Sequence, residues 1–147
     1  VRKPHKGTLR ALAKRFRAWL VTLPQIASFD EDLCGACAIA SDGLARFLRK
    51  EGFDAWFVEG QYVPCANSTR SEDFYGAETN HCWVEVGRKW IVDITARQYS
   101  GRFPEVYIVP TEHEDYHRFR RGPYALRCVR REWPKDHHPL GRKLRIR

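Results

Sequence analysis

Residues 80–94 read Asn80-His81-Cys82-Trp83-Val84-Glu85-Val86-Gly87-Arg88-Lys89-Trp90-Ile91-Val92-Asp93-Ile94. β-Branched and aromatic residues fill both halves, and Gly87-Arg88 interrupts them, which is a hairpin signal. Side chains alternate across a strand, so loop length decides which residues share a face. A two-residue loop puts His81 and Asp93 on opposite faces. A three-residue loop, Gly87 to Lys89, pairs Val86 with Trp90 and Trp83 with Asp93, leaving His81 diagonal to Asp93 on one face. That register also gathers Val84, Val86, Trp90, Val92 and Ile94 on the other face, which the shorter loop scatters. Segregation of apolar side chains therefore favours the longer loop, and with it a histidine beside an aspartate.

An imidazole oriented by a carboxylate is the base half of a nucleophilic site, and the missing half is a thiol or hydroxyl. Upstream, Phe29-Asp30-Glu31-Asp32-Leu33 leads into a predicted helix over roughly residues 35–50, with Cys37, Ala40, Leu44 and Leu48 on one stripe and Gly52 as its stop. Cys37 falls in the first turn, where the helix N-terminus favours a thiolate. Ala55-Trp56-Phe57-Val58 reads as a strand, residues 60–79 as a long loop bordering the site, and Val106-Tyr107-Ile108-Val109 as a short strand ended by Pro110. Helices followed by antiparallel strands predict an α+β fold in one domain spanning 1–147. Within it we expect a basic amphipathic helix over 1–24, a catalytic core over 33–110 and a basic extension over 118–147.

The N-terminal helix is expected to start at Thr8 as N-cap and to stop before Pro24, with Leu9, Leu12, Phe16, Trp19, Leu20 and Leu23 as its apolar stripe. Two readings of that stripe stay open, packing on the core and lying on a membrane surface. The net charge of +8 is uneven: the first 23 residues carry seven Lys or Arg and no acid, residues 24–117 eight basic and sixteen acidic, and residues 118–147 eleven basic and two acidic. Basic ends around an acidic middle either fold back on it or meet a polyanion such as nucleic acid. No stretch is long and apolar enough for a transmembrane helix, and the Arg- and Lys-rich start does not read as a secretory signal, so a cytoplasmic protein is expected.

Cys37-Ala38-Ile39-Ala40, running to Gly52-Phe53-Asp54-Ala55-Trp56-Phe57-Val58-Glu59-Gly60, resembles the transglutaminase-like core, in which a helix-start cysteine is followed by a helix, a glycine turn and the next strand. His81-Cys82-Trp83-Val84-Glu85-Val86 and Trp90-Ile91-Val92-Asp93-Ile94-Thr95 are similar to that family's histidine and aspartate segments. The resemblance covers roughly residues 33–95. It implies a papain-like fold, a helix carrying the nucleophile packed on a small antiparallel sheet, and a Cys37, His81, Asp93 triad working through a thioester. No cofactor is implied, and the implied substrate is a protein or peptide. The chain departs from the family where Cys82 replaces a small residue and Ile94 a proline. Cys34-Gly35-Ala36-Cys37 also resembles the cysteine box of papain-type proteases, with Glu31 where those have glutamine, so the oxyanion donor is unassigned beyond the backbone N–H of Cys37.

Other readings compete for the same residues. Five cysteines (Cys34, Cys37, Cys65, Cys82 and Cys128) are an odd number without regular spacing, unlike a disulfide framework. Cys37 could pack as a small hydrophobe, Cys34 could be the nucleophile, or Cys34, Cys37, Cys65 and Cys82 could hold zinc, although the predicted register points Cys82 away from the His81 face. His137-His138 read as solvated tail residues. Against the enzyme stands a non-catalytic module whose basic ends bind nucleic acid or an acidic protein.

Overall fold

The computed structural model describes residues 1–26, 29, 33, 36–62, 79–98, 103–113, 116 and 129–130. Two helices, α1 (Lys6–Leu20) and α2 (Cys37–Lys50), precede strands β1 (Ala55–Tyr62), β2 (Thr79–Val86), β3 (Trp90–Asp93), β4 (Tyr107–Pro110) and the two-residue β5 (Val129–Arg130). The strands form one antiparallel sheet in the order β4-β3-β2-β1-β5.

The hairpin has the three-residue loop. Val86 pairs with Trp90 and Val84 with Val92. Gly87 and Arg88 have φ of +59° and +55°, and Lys89 N–H donates to Val86 O at 3.1 Å. Positive φ at both positions is the turn whose twist matches the strands it joins. Val84, Val86, Val92 and Ile94 consequently enter the main core with Trp90 packed against it, beneath both helices. Val58, Trp83, Ile91, Val109 and Tyr116 form a second cluster, gathering the alternate residues of the strands.

α2 is the central helix. Ala40, Leu44, Ala45, Phe47 and Leu48 are buried, and truncating any of its leucines to Ala is expected to cost about 2–5 kcal/mol. Its end is set by Gly52, at φ +93°, with Gly52 N–H donating to Arg49 O and Phe53 N–H to Leu48 O, both at 3.0 Å. That hydrogen-bond pair is the Schellman stop, closed by the buried side chains of Leu48 and Phe53. The start is tighter than the periodicity suggests: the helix begins at Cys37 rather than 35.

α1 begins at Lys6, not after Thr8, and the cap position His5 makes no side-chain cap bond. It ends at Leu20, before Pro24, in a turn where Thr22 Oγ1 donates to Trp19 O at 2.6 Å. Leu9, Ala13, Phe16 and Leu20 are buried, and the Phe16 ring stacks on Phe47 of α2 at 5.6 Å. Its stripe is thus core. The predicted loop over 60–79 is corrected at both ends: β1 runs on to Tyr62, paired with Thr79, because antiparallel pairing with β2 continues past the apolar run. The rest of that loop, 63–78, lies outside the described residues. β4 sits one residue later than expected and includes Pro110, tolerated because β4 is an edge strand whose missing N–H breaks no ladder. Val129–Arg130 is an element the tail's composition did not announce. Among the described residues no helix is long and apolar enough to cross a membrane.

Candidate active site

Three elements converge on one cluster. Cys37 is the first residue of α2; the turn before it is made by Leu33, whose side chain is buried, whose φ is +59°, and whose carbonyl accepts the Ala36 N–H at 2.9 Å. A leucine in the left-handed region is strained, and here the strain sits where the chain must turn into the cysteine helix. His81 comes from β2 and Asp93 from the end of β3, both fully buried, and the register places them side by side.

His81 Nε2 lies 2.6 Å from Asp93 Oδ2. Asp93 is held by more than the histidine: Tyr116 OH donates to Oδ2 at 2.6 Å, and Thr95 N–H and Oγ1 donate to Oδ1 at 2.9 and 3.3 Å. Both carboxylate oxygens are engaged, so orientation of the acid is fixed from two sides. With Nε2 committed to Asp93, Nδ1 is the nitrogen left for the thiol, and Gln98 Nε2 stands 3.5 Å from it. The 3-10 turn Ala96–Gln98 brings the buried Gln98 back to the histidine immediately after the aspartate strand.

The electrostatics follow from burial and partners. Burial opposes charge on Asp93, but the charge and hydrogen bond of His81, with Tyr116 and the Thr95 N–H, outweigh it and hold the carboxyl below its usual range. Burial likewise opposes the imidazolium. The charge and hydrogen bond of Asp93, then those of Cys37, override it and raise His81 to about 10. The Cys37 thiol is brought down to about 4, first by a hydrogen bond from the Cys82 side chain, against burial, then by the bond and charge of His81 and the Cys82 backbone. Cys82 moves the opposite way, pushed up by its bond to Cys37 and by burial, so it stays a thiol and donates. The resting cluster is a thiolate, an imidazolium and a carboxylate.

Cys82 does lie on the face opposite His81, in the core under α2, where Ser41 Oγ donates to its carbonyl at 2.9 Å. Even so, both neighbours reach Cys37. From sequence Cys82 stood only as a zinc candidate, with no part beside the nucleophile, and Tyr116, Thr95 and Gln98 were missed as well. Thr95 and Gln98 sit two and five residues past Asp93 and had a local signal available; Tyr116 did not.

Of the four cysteines weighed for zinc, Cys34 and Cys65 lie outside the described residues, as do Cys128 and His137-His138. Among the described residues no group of three or more His, Cys, Asp or Glu is arranged to hold a metal. The arrangement provides an activated nucleophile, a proton carrier next to it and a fixed anion behind that carrier, which is a potential catalytic triad for cysteine-based chemistry. Comparison with protein-family models, curated proteins and solved structures found no match to this chain.

Proposed function

We propose that the protein is a cysteine-dependent acyl-transfer enzyme acting on peptide or glutamine carboxamide groups. Cys37 attacks the carbonyl, His81 protonates the leaving amine, Asp93 orients the imidazole, and the thioester is resolved by water or by an amine. The observation that carries the reading is the single imidazole shared between Asp93, at 2.6 Å, and the thiol of a helix-start cysteine. The resemblance of residues 33–95 to the transglutaminase-like core points the same way. Hydrolysis, as a peptidase or deamidase, is favoured slightly over transamidation, because a transferase must exclude water and seat a second substrate, and no motif for that is evident. Gln98 is the side chain we place at the developing oxyanion, together with the Cys37 N–H; such donors are often worth about 3–4 kcal/mol.

The whole chain 1–147 serves as one catalytic domain in this reading, and a cytoplasmic setting suits a thiolate that must stay reduced. The test uses p-nitrophenyl acetate, which needs no knowledge of the natural substrate. A burst of p-nitrophenolate, one acetyl group found on Cys37 by mass spectrometry, and loss of both in Cys37→Ala is the expected result. Acetylation confined to another cysteine, such as Cys34, would move the nucleophile, and no burst at all would remove the acyl-transfer reading. In that case salt-dependent nucleic-acid binding that survives Cys37→Ala would favour the binding module.

A further inference from the structure

Part of the basic N-terminal block is explained by the fold. Arg15 NH2 meets Glu51 at 3.6 Å and Arg17 NH1 meets Glu105 at 3.5 Å, so α1 folds some of its charge back on the acidic middle of the chain. The rest of its basic flank has another setting. Arg10, Lys14 and Arg17, spaced along one side of α1, line a cavity of about 630 Å³ with Arg97 of the 3-10 turn. Ala18, also on α1, and Pro104, Glu105 and Val106 complete the described lining.

Among the described lining residues, four cations therefore border one concave space with one carboxylate, Glu105, which faces Arg17. Arg17 is built into the wall: its side chain is 9% exposed, and its Nε donates to Ile94 O at 3.3 Å. Like charges gathered around a cleft raise the local concentration of an anion of opposite sign, and guanidinium forks match phosphate oxygens. The apolar groups of Ala18, Pro104 and Val106 suit an organic moiety, and the volume falls in the range of small-molecule sites.

We infer that this cavity, between α1, the 3-10 turn and residues 104–106, binds an organic phosphate ester, with Arg10, Lys14, Arg17 and Arg97 around the phosphate and the apolar wall against the organic part. Arg17 is anchored on Ile94, next to Asp93, and Arg97 precedes Gln98, so the ligand sits on the same chain segments that hold the acid and amide of the candidate active site. The inference does not depend on the acyl-transfer reading.

Calorimetric titration of the full chain at low salt, with phenyl phosphate and inorganic phosphate as probes, tests it. Saturable one-site binding of phenyl phosphate is expected, at least threefold tighter than inorganic phosphate. Arg97→Gln, and the exposed pair Arg10→Gln with Lys14→Gln, should each weaken it by tenfold or more. Lys3→Gln with Lys50→Gln, which removes the same charge from exposed positions elsewhere, should change it by less than twofold, and Cys37→Ala should leave it intact. Absence of saturation, or equal weakening by the Lys3 and Lys50 pair, would overturn the site; equal affinity for inorganic phosphate would overturn the ester.

Discussion

Replacing His81 by Gln and following alkylation of Cys37 against pH probes the ion pair most directly, because glutamine keeps a donor for the buried Asp93 and removes the charge and the hydrogen bond that His81 gives Cys37. An ordinary thiol with pKa about 8.5 is about 3% ionised at pH 7 and about 0.03% at pH 5. Cys37, at about 4, is about 90% ionised at pH 5 and essentially all thiolate at pH 7, a gain of about 3,000-fold at the lower pH and about 30-fold at the higher. Low basicity has an opposing effect: with a Brønsted slope of about 0.4–0.5, a drop of about 4.5 units in pKa lowers intrinsic nucleophilicity about 100-fold. The two effects nearly cancel at pH 7. At pH 5 Cys37 should remain about 30-fold faster than an ordinary thiol. The assay is the second-order rate of iodoacetamide labelling of the Cys37 peptide, measured by mass spectrometry from pH 5 to 9. The wild-type rate should change by less than about threefold between pH 5 and 8, whereas His81→Gln should regain a slope approaching tenfold per unit below the thiol pKa. A wild-type rate that falls tenfold per unit from pH 8 to 5 would refute the ion pair, and with it the role given to His81.

Asp93→Asn removes the main support of the imidazolium and leaves only Cys37 to oppose burial, so His81 should fall from about 10, and the basic limb of the pH profile of the proposed acyl transfer should move down with it; NMR titration of the ring checks this. Tyr116→Phe deletes a 2.6 Å hydrogen bond to a buried carboxylate and should cost about 1.5–3 kcal/mol in urea unfolding at pH 7. Because Tyr116 helps depress the Asp93 pKa, that stabilisation is present above the unfolded carboxyl value and lost as pH falls through the folded one, so the deficit should shrink in acid. Gln98→Ala should slow acetylation of Cys37 by about 10²–10³ while its iodoacetamide rate at pH 5 stays within twofold; parallel loss of both would make Gln98 a support of His81 instead. Gly87→Ala puts a Cβ 2.7 Å from Pro4 Cγ at a φ of +59°, and should cost about 1–2 kcal/mol or more and speed amide exchange of Arg2, whose N–H bonds Gly52 O.

Local pattern was enough for several parts of the fold. The alternation of residues 80–94 contained the hairpin register, because only one loop length puts Val84, Val86, Trp90, Val92 and Ile94 on one side, and the same register brings His81 to Asp93. The helix of Cys37 and its stop at Gly52 were equally legible, since apolar spacing and a glycine needed at positive φ act within a few residues. Residues 60–62 were misread because their strand exists only through pairing with β2, and charge and turn propensity in the sequence say nothing about a partner about 20 residues away.

Chain pattern alone determined an α+β arrangement, a helix-start cysteine, and a histidine and aspartate on one strand face. Tertiary structure decided what those groups became chemically. Tyr116 closes on Asp93 from 23 residues away and Ser41 bridges 41 residues to Cys82, contacts made by packing two layers together rather than by any repeat in the chain. Cys37 takes its proton affinity from neighbours on both sides, Cys82 of the core face and His81 of the other, because the start of α2 lies where both can reach it. Sequence period reports which face a residue occupies. The charge state of a thiol depends on burial and on distances of a few ångströms between groups far apart in the chain, and only the folded protein sets those.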